Sequence, residues 1–251
     1  MYEVRGKVAH ITLDRPQELN VLTRPMLEAL GAALEQAGRE PGLRVIILAG
    51  SGRAFCAGHD LKDLAGTPQA QVDDLFGYCT QVMEKVRLHP LPVIARVHGV
   101  AAAAGCQLVA SCDLAVAAAS ARFGTSGIKA GLFCSTPMVP LSRVVPAKKA
   151  LEMLLTGDLI SAEQAERAGL VNKVVPDGEL EQAADDLAGR IAANSPYAVR
   201  LGKQAFYRQL PKSPADAYDI GRQAMVENIV NEEGQEGISA FLEKRPPRYR
   251  D

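Results

Sequence analysis

Two segments of the chain combine small residues and backbone donors in a pattern that could hold developing negative charge. One is Ala54-Phe55-Cys56-Ala57-Gly58-His59-Asp60-Leu61, the other His98-Gly99-Val100-Ala101-Ala102-Ala103-Ala104-Gly105-Cys106-Gln107-Leu108. Each follows an apolar, strand-like run, and each carries glycine or alanine where a backbone could approach a ligand closely. The second runs straight into a helix-compatible stretch. Its N–H groups would therefore stand at a helix N-terminus, where unpaired donors and the helix dipole favour an anion. That is the physics of an oxyanion hole. The same Ala/Gly run also suits tight packing of a helix on a sheet, and on spacing alone that plainer role has the edge.

Other chemistries find less footing. Gly50-Ser51-Gly52-Arg53-Ala54-Phe55 follows a strand and begins like a dinucleotide fingerprint, but Phe55 stands where the third glycine belongs. There is no Walker sequence. Gly124-Thr125-Ser126-Gly127 approaches a nucleophile elbow, yet its second glycine comes one residue early, so a serine hydrolase is unsupported. Cysteines at 56, 79, 106, 112 and 134 form no C-x-x-C pair and are odd in number. Neither a disulfide framework nor a metal site is expected. Cys134 could act as a nucleophile only with a base beside it, for which His59 and His98 are the candidates, and a small wall residue is the plainer role.

The elements that must position these segments are legible as periodicities. Tyr2 to Val4 and Val8 to Leu13 read as a hairpin. Leu27, Leu30, Leu34 and Ala37 recur at helical spacing up to Gly38, before the buried strand Arg44 to Ala49. Val72, Leu75, Cys79, Val82, Met83 and Val86 predict a second helix, which Pro90 and Pro92 stop before the strand Val93 to Val97. Another strand is expected at Leu114 to Ala118, and a capping box at Ser161 to Gln164 starts a short helix ahead of a strand at Leu170 to Val175. Strands alternating with helices predict parallel β-α-β units, an α/β fold. Beyond Pro176 only helical patterns remain: Leu180 to Ala193, Ala198 to Tyr207, Ala215 to Val230 and Gly237 to Lys244.

Composition narrows the partners. The 251 residues carry 28 Lys plus Arg against 29 Asp plus Glu, a net charge of −1, and 47% are hydrophobic. That balance offers nothing to nucleic acid or an anionic membrane. Gln107 and Asp113 interrupt the most apolar stretch, Gly99 to Ala121, which reads as core rather than a membrane span. The charged start, Met1 to Lys7, has no apolar run of a signal peptide behind it. A reducing compartment, the cytoplasm, is expected.

Taken with Asp14-Arg15-Pro16, Ser111-Cys112-Asp113-Leu114, Leu155-Thr156-Gly157-Asp158-Leu159-Ile160-Ser161, Ala165-Glu166-Arg167-Ala168-Gly169-Leu170-Val171 and Ala240-Phe241-Leu242-Glu243-Lys244-Arg245, the two segments resemble the crotonase superfamily, the enoyl-CoA hydratase/isomerase family, along nearly the whole chain. Ala103 to Asp113 together with Gly131 to Pro137 resembles, more narrowly, its branch called enoyl-CoA hydratase domain-containing protein 3. The resemblance implies a crotonase (ClpP-like) spiral of β-β-α units over residues 1–193 and an α-helical C-terminal trimerisation region over 194–251. It also implies homotrimers, usually paired into hexamers, and acyl-CoA or enoyl-CoA thioesters as ligands. Coenzyme A enters as part of the substrate, and no metal, flavin or nicotinamide is implied. The family's two thioester-holding N–H groups map onto His59 and Ala104. Ala54, Ala57, Gly58, Asp60, Leu61, Lys62, Gly105 and Cys134 fall along the acyl and CoA path, and Phe241 and Lys244 match a terminal segment that reaches a neighbour's CoA.

The chain departs from the family where hydration needs proton transfer. The hydratases use two glutamates, at water and at the α-carbon, and the matching positions here are Gln107 and Gly127. A carboxamide has no accessible protonation equilibrium, and glycine has no side chain. A general acid or base contributes ~10²–10⁴-fold and an oxyanion donor ~10²–10³-fold, so classical hydration is expected to be weak or absent while thioester binding survives. Three outcomes stay open: another oxyanion-stabilised reaction of an acyl-CoA, a non-catalytic acyl-CoA-binding regulatory oligomer, or hydration through an unrecognised base. Restoring both carboxylates, Gln107→Glu with Gly127→Glu, is expected to raise hydration.

Overall fold

A computed structural model describes residues 1–250. The elements in chain order are β1 (Tyr2–Arg5), β2 (Val8–Leu13), α1 (Arg24–Arg39), β3 (Val45–Gly50), α2 (Gln69–Arg87), β4 (Val93–Val97), β5 (Val100–Ala102), α3 (Ala104–Ser111), β6 (Leu114–Ala118) and β7 (Arg122–Gly124). There follow α4 (Met138–Val144), α5 (Ala147–Thr156), β8 (Ile160–Ser161), α6 (Ala162–Arg167), β9 (Lys173–Val175), α7 (Leu180–Ala192), α8 (Pro196–Gln209), α9 (Pro214–Val230) and α10 (Glu232–Leu242).

Strands β1-β2-β3-β4-β6-β9 form one sheet, antiparallel only at the β1–β2 hairpin, and β5-β7-β8 form a second. The chain alternates between the two. After β4 it adds β5 to the small sheet and then α3; after β6 it adds β7 and then the helices α4 and α5. This is the β-β-α spiral. The long strands are apolar on both faces because both are covered. Val45 and Ile47 of β3 pack with Ile94, Val116 and the alanines of α7, while Ile46 and Leu48 join the main core with Leu27, Leu30 and Leu34 of α1.

The periodic elements lie where the sequence places them, and the capping box at Ser161 and Gln164 is formed. The strand expected over 170–175 shrinks to Lys173–Val175, because Leu170 and Val171 turn into the core and the Asn172 side chain takes the Ala115 N–H. Among the described residues no helix is long and apolar enough to cross a membrane.

Asp113 ties α8 to the large sheet. Its carboxylate accepts from the Val93 N–H (2.7 Å), the Lys203 ammonium (2.5 Å) and the Tyr207 hydroxyl (2.9 Å). Burial pushes the Asp113 carboxyl up and the Lys203 ammonium down, and their contact opposes both shifts. Tyr207→Phe keeps the ring and removes one bond to a buried carboxylate, so a loss of about 1.5 kcal/mol is expected in urea unfolding.

Candidate functional site

Asn20 organises the approach to the site. It is fully buried, its Oδ1 accepts from the Arg15 N–H (2.9 Å), and its Nδ2 donates to the carbonyls of Ser51 (2.9 Å), Ala54 (2.8 Å) and Phe55 (3.2 Å). One side chain thus closes the turn after β3. The chain then runs beside β5: the Phe55 N–H donates to the His98 carbonyl, Cys56 N–H to that of Val100, and Ala102 N–H back to that of Cys56.

That pairing brings the two glycine-bearing segments into contact. A Cβ on Gly105 would lie 2.1 Å from the Cys56 carbonyl oxygen, so the first turn of α3 rests directly on the neighbouring backbone. Gly58 has φ +101°, and a Cβ there would lie 2.9 Å from Ala103 Cβ and 3.3 Å from the Ala104 nitrogen. Both contacts require glycine. Ala103 itself holds φ 48° and ψ −117°, a strained conformation for an L-residue.

The same packing leaves two backbone N–H groups, those of His59 and Ala104, without a backbone acceptor among the described residues. The N–H and C=O of a trans peptide point in opposite directions. The Gly58 carbonyl accepts from the Leu22 N–H (2.7 Å), which turns the His59 N–H the other way. The Ala103 carbonyl accepts from the Gln107 N–H (3.0 Å), which turns the Ala104 N–H out of the helix start. Neither N–H donates to a backbone carbonyl among the described residues.

Polar side chains belong to the same segments and to the strand end that pairs with Ala103. The His59 ring donates through Nδ1 to the Leu22 carbonyl (2.9 Å) and packs on Phe76 with centroids 4.9 Å apart. A carbonyl can only accept, so the proton sits on Nδ1 and Nε2 keeps its lone pair. Burial pushes this imidazole below the usual histidine range, and the bond to the Leu22 carbonyl pulls the other way. Gln107 is 4% exposed and lies three residues into α3, whose side chains lean back towards the helix start. Thr125 follows Gly124, whose carbonyl accepts from the Ala103 N–H (2.9 Å). Among the described residues, His59 Nε2, Gln107 Oε1 and Thr125 Oγ1 are all buried without a hydrogen-bond partner.

Gly127 changes one expectation. A Cβ there would lie 2.6 Å from the Leu132 carbonyl oxygen and 2.8 Å from Cys134 Sγ. Backbone and a buried thiol already fill the place where a side chain would start, so Gly127→Glu cannot simply restore a carboxylate. The double substitution is therefore not expected to raise hydration beyond what Gln107→Glu does alone. Cys134 is 8% exposed, and burial pushes its thiol up, away from the thiolate a nucleophile needs.

The remaining candidates spread outward. Ala54 is buried, its carbonyl bound by Asn20, and the Ala57 N–H donates to Leu19. Asp60 accepts from the Lys62 N–H (2.9 Å), so Asp60, Leu61 and Lys62 form a turn directly after His59, with Leu61 and Lys62 exposed. Phe241, 83% exposed, and Lys244, at φ 55°, lie at the end of α10, which packs on α9 and α8. His98 bonds the Gly52 carbonyl (2.8 Å), a structural use. Sequence reasoning overlooked Asn20, Leu22 and Thr125; only Asn20 had a signal, as an amide just after the Asp14-Arg15-Pro16 motif.

The family model for enoyl-CoA hydratase/isomerase matches residues 3–251. Enoyl-CoA hydratase domain-containing protein 3, mitochondrial, of Rattus norvegicus is 47% identical over 241 residues, covering 96% of this chain and 80% of the rat protein. Among solved structures, an enoyl-CoA hydratase of Mycobacterium smegmatis superposes with a TM-score of 0.97 at 47% identity, covering 99% of this chain and 98% of that one. Human enoyl-CoA hydratase domain-containing protein 3 gives 0.97 at 46% identity and 99% coverage of both chains. The rat and human relatives belong to the branch that the Ala103 to Asp113 segment resembles. With the spiral of paired short and long strands, these matches place the chain in the enoyl-CoA hydratase/isomerase family, the crotonase superfamily.

Proposed function

We propose that this chain binds acyl-CoA thioesters, with the thioester oxygen held between the N–H groups of His59 and Ala104, and hydrates 2-enoyl-CoA weakly or not at all. The observation that carries the reading is the pair of unpartnered N–H groups, aimed by Leu22 and by the Gln107 amide, next to a carboxamide instead of a carboxylate. The hole would stabilise an enolate or tetrahedral oxyanion, but neither Gln107 nor Gly127 can move a proton. Asp60, Leu61 and Lys62 would run beside the pantetheine arm. Phe241 and Lys244 would meet the CoA of a neighbour, because α8 and α9 bury no residue within the chain and expose Phe206, Tyr218, Met225, Val226 and Val230. Apolar faces of that kind fit a homotrimer or a hexamer built from two trimers. The five cysteines are free and buried, which suits a reducing compartment. The rat relative's name places that protein in mitochondria; for this chain we keep the cytoplasm.

A second reading, hydration through another base, draws on the free lone pair of His59 Nε2. One assay separates the two. Crotonyl-CoA loses its enoyl absorbance on hydration, and the protein is expected to leave that absorbance at the background rate; rapid loss would overturn the proposal. Gln107→Glu alone is expected to raise the rate about tenfold or more, at the low end for one acid/base group. Gly127→Glu is expected to cost about 2 kcal/mol of stability through overpacking, with no gain in rate.

A further inference from the structure

His89 ties separate elements together through both of its ring nitrogens. It stands between the end of α2 and the start of β4, it is buried, and its Nε2 donates to the Leu34 carbonyl of α1 (3.0 Å). That bond fixes the proton on Nε2 and leaves Nδ1 an acceptor, which takes the Leu91 N–H (3.1 Å). Pro90 and Pro92 flank Leu91 and have no N–H, so this is the only backbone donor of residues 90–92. The Leu91 carbonyl also lies 3.3 Å from Nδ1, but it already accepts from the Lys203 ammonium of α8 (3.0 Å). Helix α8 buries none of its residues within the chain. Its hold on the large sheet runs through Lys203 and Tyr207, which meet Leu91 and Asp113.

We infer that His89 is an acid-sensitive clasp: a proton taken up at Nδ1 releases α8 from the Pro90-Leu91-Pro92 turn. Only the neutral ring suits this geometry. Once protonated, Nδ1 becomes a donor, so it opposes the Leu91 N–H and can turn only to the Leu91 carbonyl, where it competes with the Lys203 ammonium. Two cations then face one acceptor. The charges around them do not make up the difference. Asp113 is the one carboxylate bearing on the ring, and it is already bonded by Lys203 and Tyr207, with Arg87 stacked over the Tyr207 ring. Arg44 and Arg200 line the crevice that Leu91 shares with Val199 of α8. Burial pushes the imidazole below the usual histidine range, the Leu34 and Leu91 carbonyls pull it up, Lys203 pushes it down and Asp113 pulls it up. With the folded value below the ordinary 6.5, the neutral ring contributes stability that is complete above 6.5 and is lost as pH falls from there through the folded value. The loss falls on α8 because a helix with few buried contacts opens before the core does.

The test is hydrogen exchange of the full chain, read by mass spectrometry at about pH 7.5 and about pH 5 and corrected for the intrinsic pH dependence of exchange. Amides of α8 are expected to lose about tenfold more protection than those of α5, the worth of one buried hydrogen bond. Helix α5 is the reference because it packs on α4 instead. His89→Asn sets an oxygen near the place of Nδ1, keeps an acceptor for the Leu91 N–H and takes up no proton, so its α8 protection relative to α5 should change less than about twofold between the two conditions. The variant also separates His89 from His10, the buried histidine that faces Asp185 of α7. Should it fail to fold, the unmodified protein decides alone: no acid loss in α8, or an equal loss in α5, would overturn the inference. So would an acid loss in α8 of His89→Asn as large as in the unmodified protein.

Discussion

A methyl group added at Gly105 is expected to weaken butyryl-CoA binding about a hundredfold. The added carbon would start 2.1 Å from the Cys56 carbonyl oxygen, more than 1 Å inside ordinary contact. Both partners are backbone, so no flexible side chain can yield, and α3 must lift off the segment Phe55 to Ala57. That helix carries the proposed Ala104 donor and Gln107, while the segment beneath leads into the proposed His59 donor. Losing both hydrogen bonds to the thioester oxygen, at up to about 1.5 kcal/mol each, weakens binding on the order of 10²-fold. Overpacking adds a stability loss of about 3 kcal/mol. Gly189→Ala is the control: it is helical with nothing within 4 Å of the new carbon, so it should bind normally and gain up to about 1 kcal/mol. Calorimetry with butyryl-CoA and thermal unfolding of both variants check this. Unchanged affinity in Gly105→Ala would show that the two donors do not act as a pair.

Asn20→Ala is expected to destabilise the protein by about 4 kcal/mol, a fall in Tm of roughly 10 °C for a chain of this size. Four backbone groups lose their partner together: the Arg15 N–H and the carbonyls of Ser51, Ala54 and Phe55. Asn20 also sits at φ 55°, a region asparagine tolerates better than alanine. Thioester affinity should fall as well, since the turn it closes delivers Gly58 and His59. Asn20→Asp should be worse than alanine near neutral pH, because a carboxylate would face three carbonyl oxygens. Its deficit should shrink as pH falls and the acid gains a proton to donate. Chemical denaturation at two pH values reads both effects, and an aspartate variant as stable as wild type would refute the clamp.

Legibility followed length and repetition. Helix α1 repeats its apolar residues over four turns, and β3 is a continuous buried run, so both are visible as patterns. The strands β5, β7 and β8 have three, three and two residues, too few for any period, and the small sheet that supports the site was invisible for that reason. At the site, residue type was readable and occupancy was not. Gln107 and Gly127 could be seen to lack carboxylates. That Leu132 and Cys134 fill the space over Gly127 depends on a loop whose path no local pattern encodes. Gly105 suggested close approach to a ligand, whereas what approaches it is the chain's own Cys56 carbonyl. Asn20 bonds across more than thirty residues, a distance at which spacing carries no information.

The carbonyl of Leu132 has a consequence for ancestry. A glycine with open space beside it can gain a side chain by one codon change, but here main chain lies where a Cβ would start, and no single substitution withdraws it. Any descendant that places a carboxylate at residue 127 must first rebuild the loop at 131–134, which also carries the buried thiol of Cys134. The fold works as a ratchet, holding position 127 at glycine through the main chain packed against it.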